Sequence, residues 1–258
     1  MRFGYASDWF GEELVKTRVS TIGAKLLKGL ARARKSAPNR PLIFVAHSFG
    51  GLVVMSALWA AASSSAADHQ IHDCAMGLVF LGTPFRGLHR SLSQGEVLLL
   101  SENPDVASSL DNLRVLQAGD GALIDLVNGY LSSAKGIKDR VTICVYEEKE
   151  TNVAALVNKT VSKKVLLVDE SSPTLDGCIK ISRPCDHFAL NKFVSPNLEA
   201  WEELAEALIE IKDKALNRSS TTLPTETSGG DTTKETFGKQ RNTAECSASG
   251  KHSPTPSV

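Results

Sequence analysis

Net charge, paired cysteines and a long apolar run are all missing from this sequence of 258 residues. Lysine plus arginine and aspartate plus glutamate number 29 each, so no overall field draws the chain to nucleic acid or to an anionic membrane surface. The five cysteines (Cys74, Cys144, Cys178, Cys185 and Cys246) are odd in number, scattered and free of any C-x-x-C pair. That pattern argues against a disulfide framework or a zinc site and for buried free thiols in a reducing compartment. The longest apolar stretch, Leu52 to Ala62, is interrupted by Ser56 and falls far short of the roughly 20 residues that a membrane span needs.

The opening residues, MRFGYASDWF, have no basic segment leading into an apolar core, so no secretory signal is expected and the sequons at Asn158 and Asn217 should be unused. A cytoplasmic location is expected. The helical, basic and amphipathic segment after this opening raises a mitochondrion as an alternative; the periphery of the endoplasmic reticulum membrane is another. Asp8, Glu12 and Glu13 count against a transit peptide.

What is present is an alternation of periods. Val15, Val19, Ile22, Leu26 and Leu30 recur at helical spacing between Gly11 and Lys35, which predicts a helix laid on a core and broken off by Pro41. Leu42 to Val45 is a short, wholly apolar run of the kind found in strands buried on both faces of a parallel sheet. A second helix is predicted from about Gly50 to Ala67. Further strands are read at Gly77–Pro84, Val141–Tyr146 and Lys164–Asp169. Strands alternating with helices predict an α/β fold with a mostly parallel sheet flanked by helices.

The leucines of residues 90–136 suggest a helical insertion able to roof a pocket, and a last helix is predicted over Asn197–Leu216. Residues 1–217 are read as one domain. Residues 218–258, rich in Ser, Thr, Gly, Pro and charge, have almost nothing to bury and are expected to be disordered.

The run "FVAHSFGG" (Phe44–Gly51) carries the chemistry. Ala46-His47-Ser48-Phe49-Gly50 is a G-x-S-x-G nucleophile elbow with alanine at the first small position, set between a predicted strand and a predicted helix as the motif requires. So tight a turn admits only small residues at its first and last positions, here Ala46 and Gly50. The N–H groups of the following helix, that of Phe49 first, face a developing oxyanion. A strand-to-helix turn with Ser48 as a plain helix cap is the competing reading.

A serine hydroxyl needs a base, and with this elbow the partners follow in the order Ser, acid, His. His69 and His72 lie too close behind the elbow, His89 precedes the acids and His252 is in the tail; His187, between the last strand and the last helix, is left. His47 adjoins Ser48, but neighbours in a tight turn point apart, so it is read as structural. The acid should end a strand: Glu147 and Asp169 are the candidates, and position alone leaves both open.

Six stretches in order, "RFGYASD", "RPLIFVAHSFGGLVVMSAL", "GLVFLGTPFRG", "VYEE", "LLVDESS" and "CDHFALNKF", resemble the serine-active-site-containing, lipase-like family of α/β-hydrolases, which is also the N-terminal module of fungal nucleotide-binding repeat proteins. The resemblance spans residues 1 to about 215. It implies an α/β-hydrolase fold, hydrolysis of ester bonds in lipid or small-molecule substrates, Ser48 and His187 as nucleophile and base, and Glu147 as the acid. No metal or organic cofactor is implied. Two departures stand out. Phe85 occupies a position where members often carry histidine. Members also begin with an apolar strand ending in an H-G-x-x-G-like loop, which supplies a second oxyanion donor, and this sequence starts after it, so the fold is expected to lack its first strands.

Two functions are therefore expected in competition: a serine esterase or lipase working through Ser48, His187 and Glu147, and a hydrolase-fold interaction or regulatory module, a fragment of a larger protein, with impaired catalysis. Membrane association through the leucine-rich insertion is a weaker third.

Overall fold

A computed structural model describes residues 1–5, 18–88, 119–152, 164–168, 171–193 and 199–221. Helix α1 (Val19–Ala33) presents Val19, Ile22, Leu26, Leu27 and Leu30 inward, the stripe its spacing predicts; Val15 lies outside the described residues. α1 stops at Ala33, ahead of the predicted Lys35. There the Arg34 N–H returns to the Leu30 carbonyl and the Arg34 guanidinium donates to the carbonyls of Pro38 and Arg40, turning the chain before Pro41.

Strand β1 (Leu42–His47) leads through Ser48 into helix α2 (Phe49–Ala62); helix α3 (Ala66–Cys74) runs straight into strand β2 (Ala75–Leu81). Helix α4 (Gly121–Ala134) then precedes strand β3 (Val141–Glu147). Two-residue strands β4 (Thr151–Asn152) and β5 (Lys164–Val165) follow, then strand β6 (Ile179–Arg183) and helix α5 (Glu199–Thr221). The four-stranded sheet has the order β1-β2-β3-β6 with every pairing parallel, Val45 beside Val79, Val79 beside Ile143 and Glu147 beside Arg183.

Helices cover both faces of this sheet, which makes the architecture α/β. On one face α1, α2 and α4 bury Leu52, Met55, Leu58, Phe80 and Tyr130 against Leu78 and Cys144. On the other, α5 lays Leu204, Ala207 and Ile211 over Val79, Leu81, Ile143, Val145 and Ile181. Each such fully buried aliphatic or aromatic side chain contributes about 1.5–3 kcal/mol, and β2, buried along its whole length, is the axis of the core.

Several expectations are corrected. β1 is not buried on both faces: Ala46 packs inward, but Ile43 is 39% and Val45 59% exposed. α5 lies over β2 and β6, so the β1 side chains on that face extend past it; no strand pairs with the outer edge of β1 among the described residues. Of the strand expected over Lys164–Asp169, the described residues 164–168 do not join the parallel sheet. Only Lys164 and Val165 are extended, antiparallel to Thr151–Asn152, and the fourth sheet strand is Ile179–Arg183. Of the four free thiols among the described residues only Cys144 is buried. In the insertion, α4 packs on α2 as a crossover helix; residues 90–118 lie outside the described residues. Helix α5 continues to Thr221, past the predicted boundary at Asn217. Among the described residues no helix is long and apolar enough to cross a membrane.

Candidate active site

Parallel strands align their carboxyl ends, and there the sheet gathers the side chains singled out from the sequence. Ser48 leaves β1 with φ 52° and ψ −129°, outside the regions comfortable for a residue with a Cβ. Its backbone is held on both sides: the Ser48 N–H donates to the Leu81 carbonyl at 2.7 Å, and the Thr83 hydroxyl donates to the Ser48 carbonyl at 3.1 Å. The Ser48 hydroxyl does not cap α2. It stands 2.9 Å from Nε2 of His187.

The crowding expected at Gly50 falls one residue later. A methyl group at Gly50 would have ordinary contacts, Tyr5 Oη at 3.7 Å and Ala46 Cβ at 4.0 Å, whereas one at Gly51 would run into the Thr83 side chain. Gly51 is therefore what lets α2 approach the Gly82–Thr83 turn that grips Ser48.

His187 begins a short 3₁₀ turn, His187–Ala189, capped by the Asp186 carboxylate, which accepts from the Ala189 N–H at 3.0 Å. The ring is buried. Its Nδ1 lies 3.2 Å from both carboxylate oxygens of Glu147, and Oε1 of Glu147 also accepts the N–H of Val168 at 3.0 Å. Because a carboxylate only accepts, the contact assigns the imidazole proton to Nδ1 and leaves the Nε2 lone pair toward Ser48. Glu147 ends β3, and its neighbour on β6 is Arg183. Among the described residues Glu147 is the carboxylate hydrogen-bonded to His187; Asp169 lies outside them.

Groups that the sequence reading passed over hold the imidazole. Thr151 Oγ1 accepts the His187 N–H at 3.1 Å. The Arg183 guanidinium donates to the carbonyls of Ala189 and Leu190 and lies 4.1 Å over the Phe193 ring, clamping the turn to β6. Gly82, at φ 58°, lies under the imidazole, where a methyl would come within 2.8 Å of His187 Cε1. Its place in "GTP" at the end of a strand was the available signal; nothing in the spacing of Thr151 or Arg183 pointed to a site.

His47 is more than filler. Its Nε2 lies 2.9 Å from the His187 carbonyl, and the two rings sit 5.0 Å apart. Burial lowers its pKa, so it is a neutral donor near pH 7. The helix dipole of α2 puts its positive end directly after Ser48. The arrangement is thus an oriented hydroxyl–imidazole–carboxylate relay at the carboxyl ends of the strands. Comparison of the chain with protein-family models, with curated proteins and with solved structures finds no match.

Proposed function

We propose that the protein is a serine hydrolase of the α/β-hydrolase type, cleaving ester bonds through an acyl-enzyme. The observation that carries this reading is the relay itself: Ser48 Oγ is 2.9 Å from the imidazole and is not spent on capping α2, although a helix start is where a capping serine would use it. As the Ser48 oxygen bonds to the ester carbonyl carbon, its proton passes to Nε2 of His187, and the positive charge created there is met by Glu147. The tetrahedral oxyanion forms beside the start of α2, with the Phe49 N–H as the expected donor. Collapse breaks the bond to the leaving alkoxide, which takes the proton from Nε2; water then repeats the sequence and frees the acid. Phe188, 39% exposed and edge-on to the His187 ring, favours an apolar ester, whether of a lipid or a small molecule.

The exposed Ile43 and Val45 on β1 favour a second reading, an interaction module on the same scaffold. A fluorophosphonate probe separates the two. Labelling of the wild-type protein that disappears in Ser48→Ala supports the hydrolase; a folded protein that never labels rejects it.

A further inference from the structure

At the far end of α2 lies a second cluster with its own chemistry. His69, His72 and Asp73 stand at i, i+3 and i+4 on α3 and share one face. One ligand atom from each lies within 4.8 Å of the others. Nε2 of His69 is 3.7 Å from Oδ1 of Asp73, and Nδ1 of His72 is 3.3 Å from the same oxygen. In a tetrahedral site with bonds of about 2.0–2.2 Å, ligand atoms sit about 3.3–3.5 Å apart. Two of the separations are already close to that value. The third, between His69 and the buried His72, is within 4.8 Å and closes by a swing of His69, whose side chain is about half exposed.

The hydrogen bond at His69 also favours a cation. Nδ1 of His69 lies 3.0 Å from the Ala62 carbonyl, the last residue of α2. A carbonyl only accepts, so Nδ1 carries the proton and Nε2 presents its lone pair to Asp73, the outer-shell arrangement that ligating histidines adopt. His72 is buried, and its Nε2 has no hydrogen-bond partner among the described residues. Coordination through Nδ1 requires the proton to move to Nε2, where it would have no acceptor among these residues, a cost that the metal–ligand bond must exceed. The Arg140 guanidinium donates to the His72 carbonyl. Its positive charge opposes a dication and weakens the expected affinity.

We propose that His69, His72 and Asp73 form a site for a borderline divalent cation, Zn²⁺ in the first instance, with water in the fourth position. Two imidazoles and one carboxylate suit Zn²⁺ over Ca²⁺ or Mg²⁺, which take oxygen ligands. The 14 residues of α2 separate the cluster from Ser48 by about 21 Å, so the ion would pin the α2–α3 turn and take no part in ester cleavage.

The full chain, stripped with a chelator and dialysed, is titrated with Zn²⁺ by calorimetry and with Co²⁺ by visible absorption. The expected result is one equivalent bound, a melting temperature raised by Zn²⁺, and tetrahedral Co²⁺ bands without thiolate charge transfer. His69→Ala and Asp73→Asn alter exposed side chains and should fold; each lowers affinity by about tenfold or more and abolishes the thermal shift. No binding by the wild type, wild-type affinity in either variant, or a thiolate band from Cys74 or another cysteine overturns the site.

Discussion

Nε2 of His47 donates to the carbonyl oxygen of His187 at 2.9 Å, tying the end of β1 to the turn that presents the imidazole. On the proposed hydrolase reading, the residue before the nucleophile thereby holds the backbone of the residue that activates it. His47→Ala frees that turn, and a displacement of even about 1 Å costs on the order of a hundredfold in rate. The expected outcome is a fall in kcat of about ten- to a hundredfold with KM within about twofold, and a matching slowing of fluorophosphonate labelling. His47→Gln, whose amide nitrogen reaches the position of Nε2, recovers most of the loss. Equal rates in wild type and His47→Ala, with Ser48→Ala inactive, would remove this role while leaving the hydrolase reading intact.

Glu147 accepts from Nδ1 of His187 and from Val168 N–H, and its side chain is fully buried. Glu147→Gln keeps the shape but turns an amide against the imidazole or forces its proton to Nε2, the wrong tautomer for a base. Turnover of a p-nitrophenyl ester should drop by about 10²–10⁴, with the melting temperature little changed. Activity at the wild-type level would mean that another carboxylate, Asp169 among the candidates, serves the imidazole.

Gly51 lies against the Thr83 side chain with no room for a methyl group. Gly51→Ala should destabilise the fold by about 1–3 kcal/mol through overpacking, read as a lower urea midpoint at unchanged m-value. Adding Thr83→Ala gives part of that back.

His47 is buried neutral, with its pKa lowered chiefly by desolvation and raised in part by its bond to the His187 carbonyl. The unfolded chain takes up a proton near pH 6.5 that the folded chain refuses, so this histidine makes stability fall as pH drops below that value. The loss proceeds at up to about 1.4 kcal/mol per pH unit and levels off below the folded pKa. Urea melts of wild type and His47→Gln between pH 7.5 and about 5 should converge toward the acid end, with the steeper slope in the wild type.

The sequence made the elbow legible because a strand, a sharp turn and a helix leave a pattern within one octapeptide. His187 could be found by elimination among six histidines. The acid could not be told from spacing, since Glu147 and Asp169 both end apolar runs; it takes the register of β3 beside β6 to bring Glu147 beneath the imidazole. β6 was overlooked for a physical reason. "IKISR" buries only Ile181 and Arg183 at the sheet's edge, so it carries little of the apolar signal of a central strand, while Leu167 and Val168 carry that signal and pack as a loop. Phe44 and its neighbours mislead in the opposite sense. Their composition predicts a two-sided core strand, and where that strand sits in the sheet determines which of them face solvent.

The bend at Ser48 holds a side-chain-bearing residue at φ 52°, where glycine would rest at ease. Each time the chain folds it surrenders about 1–3 kcal/mol at that one peptide, and the hydroxyl aimed at His187 is the return for it. Stability and reactivity are thus opposed at a single atom pair, so Ser48→Gly should give a protein that melts later and does nothing.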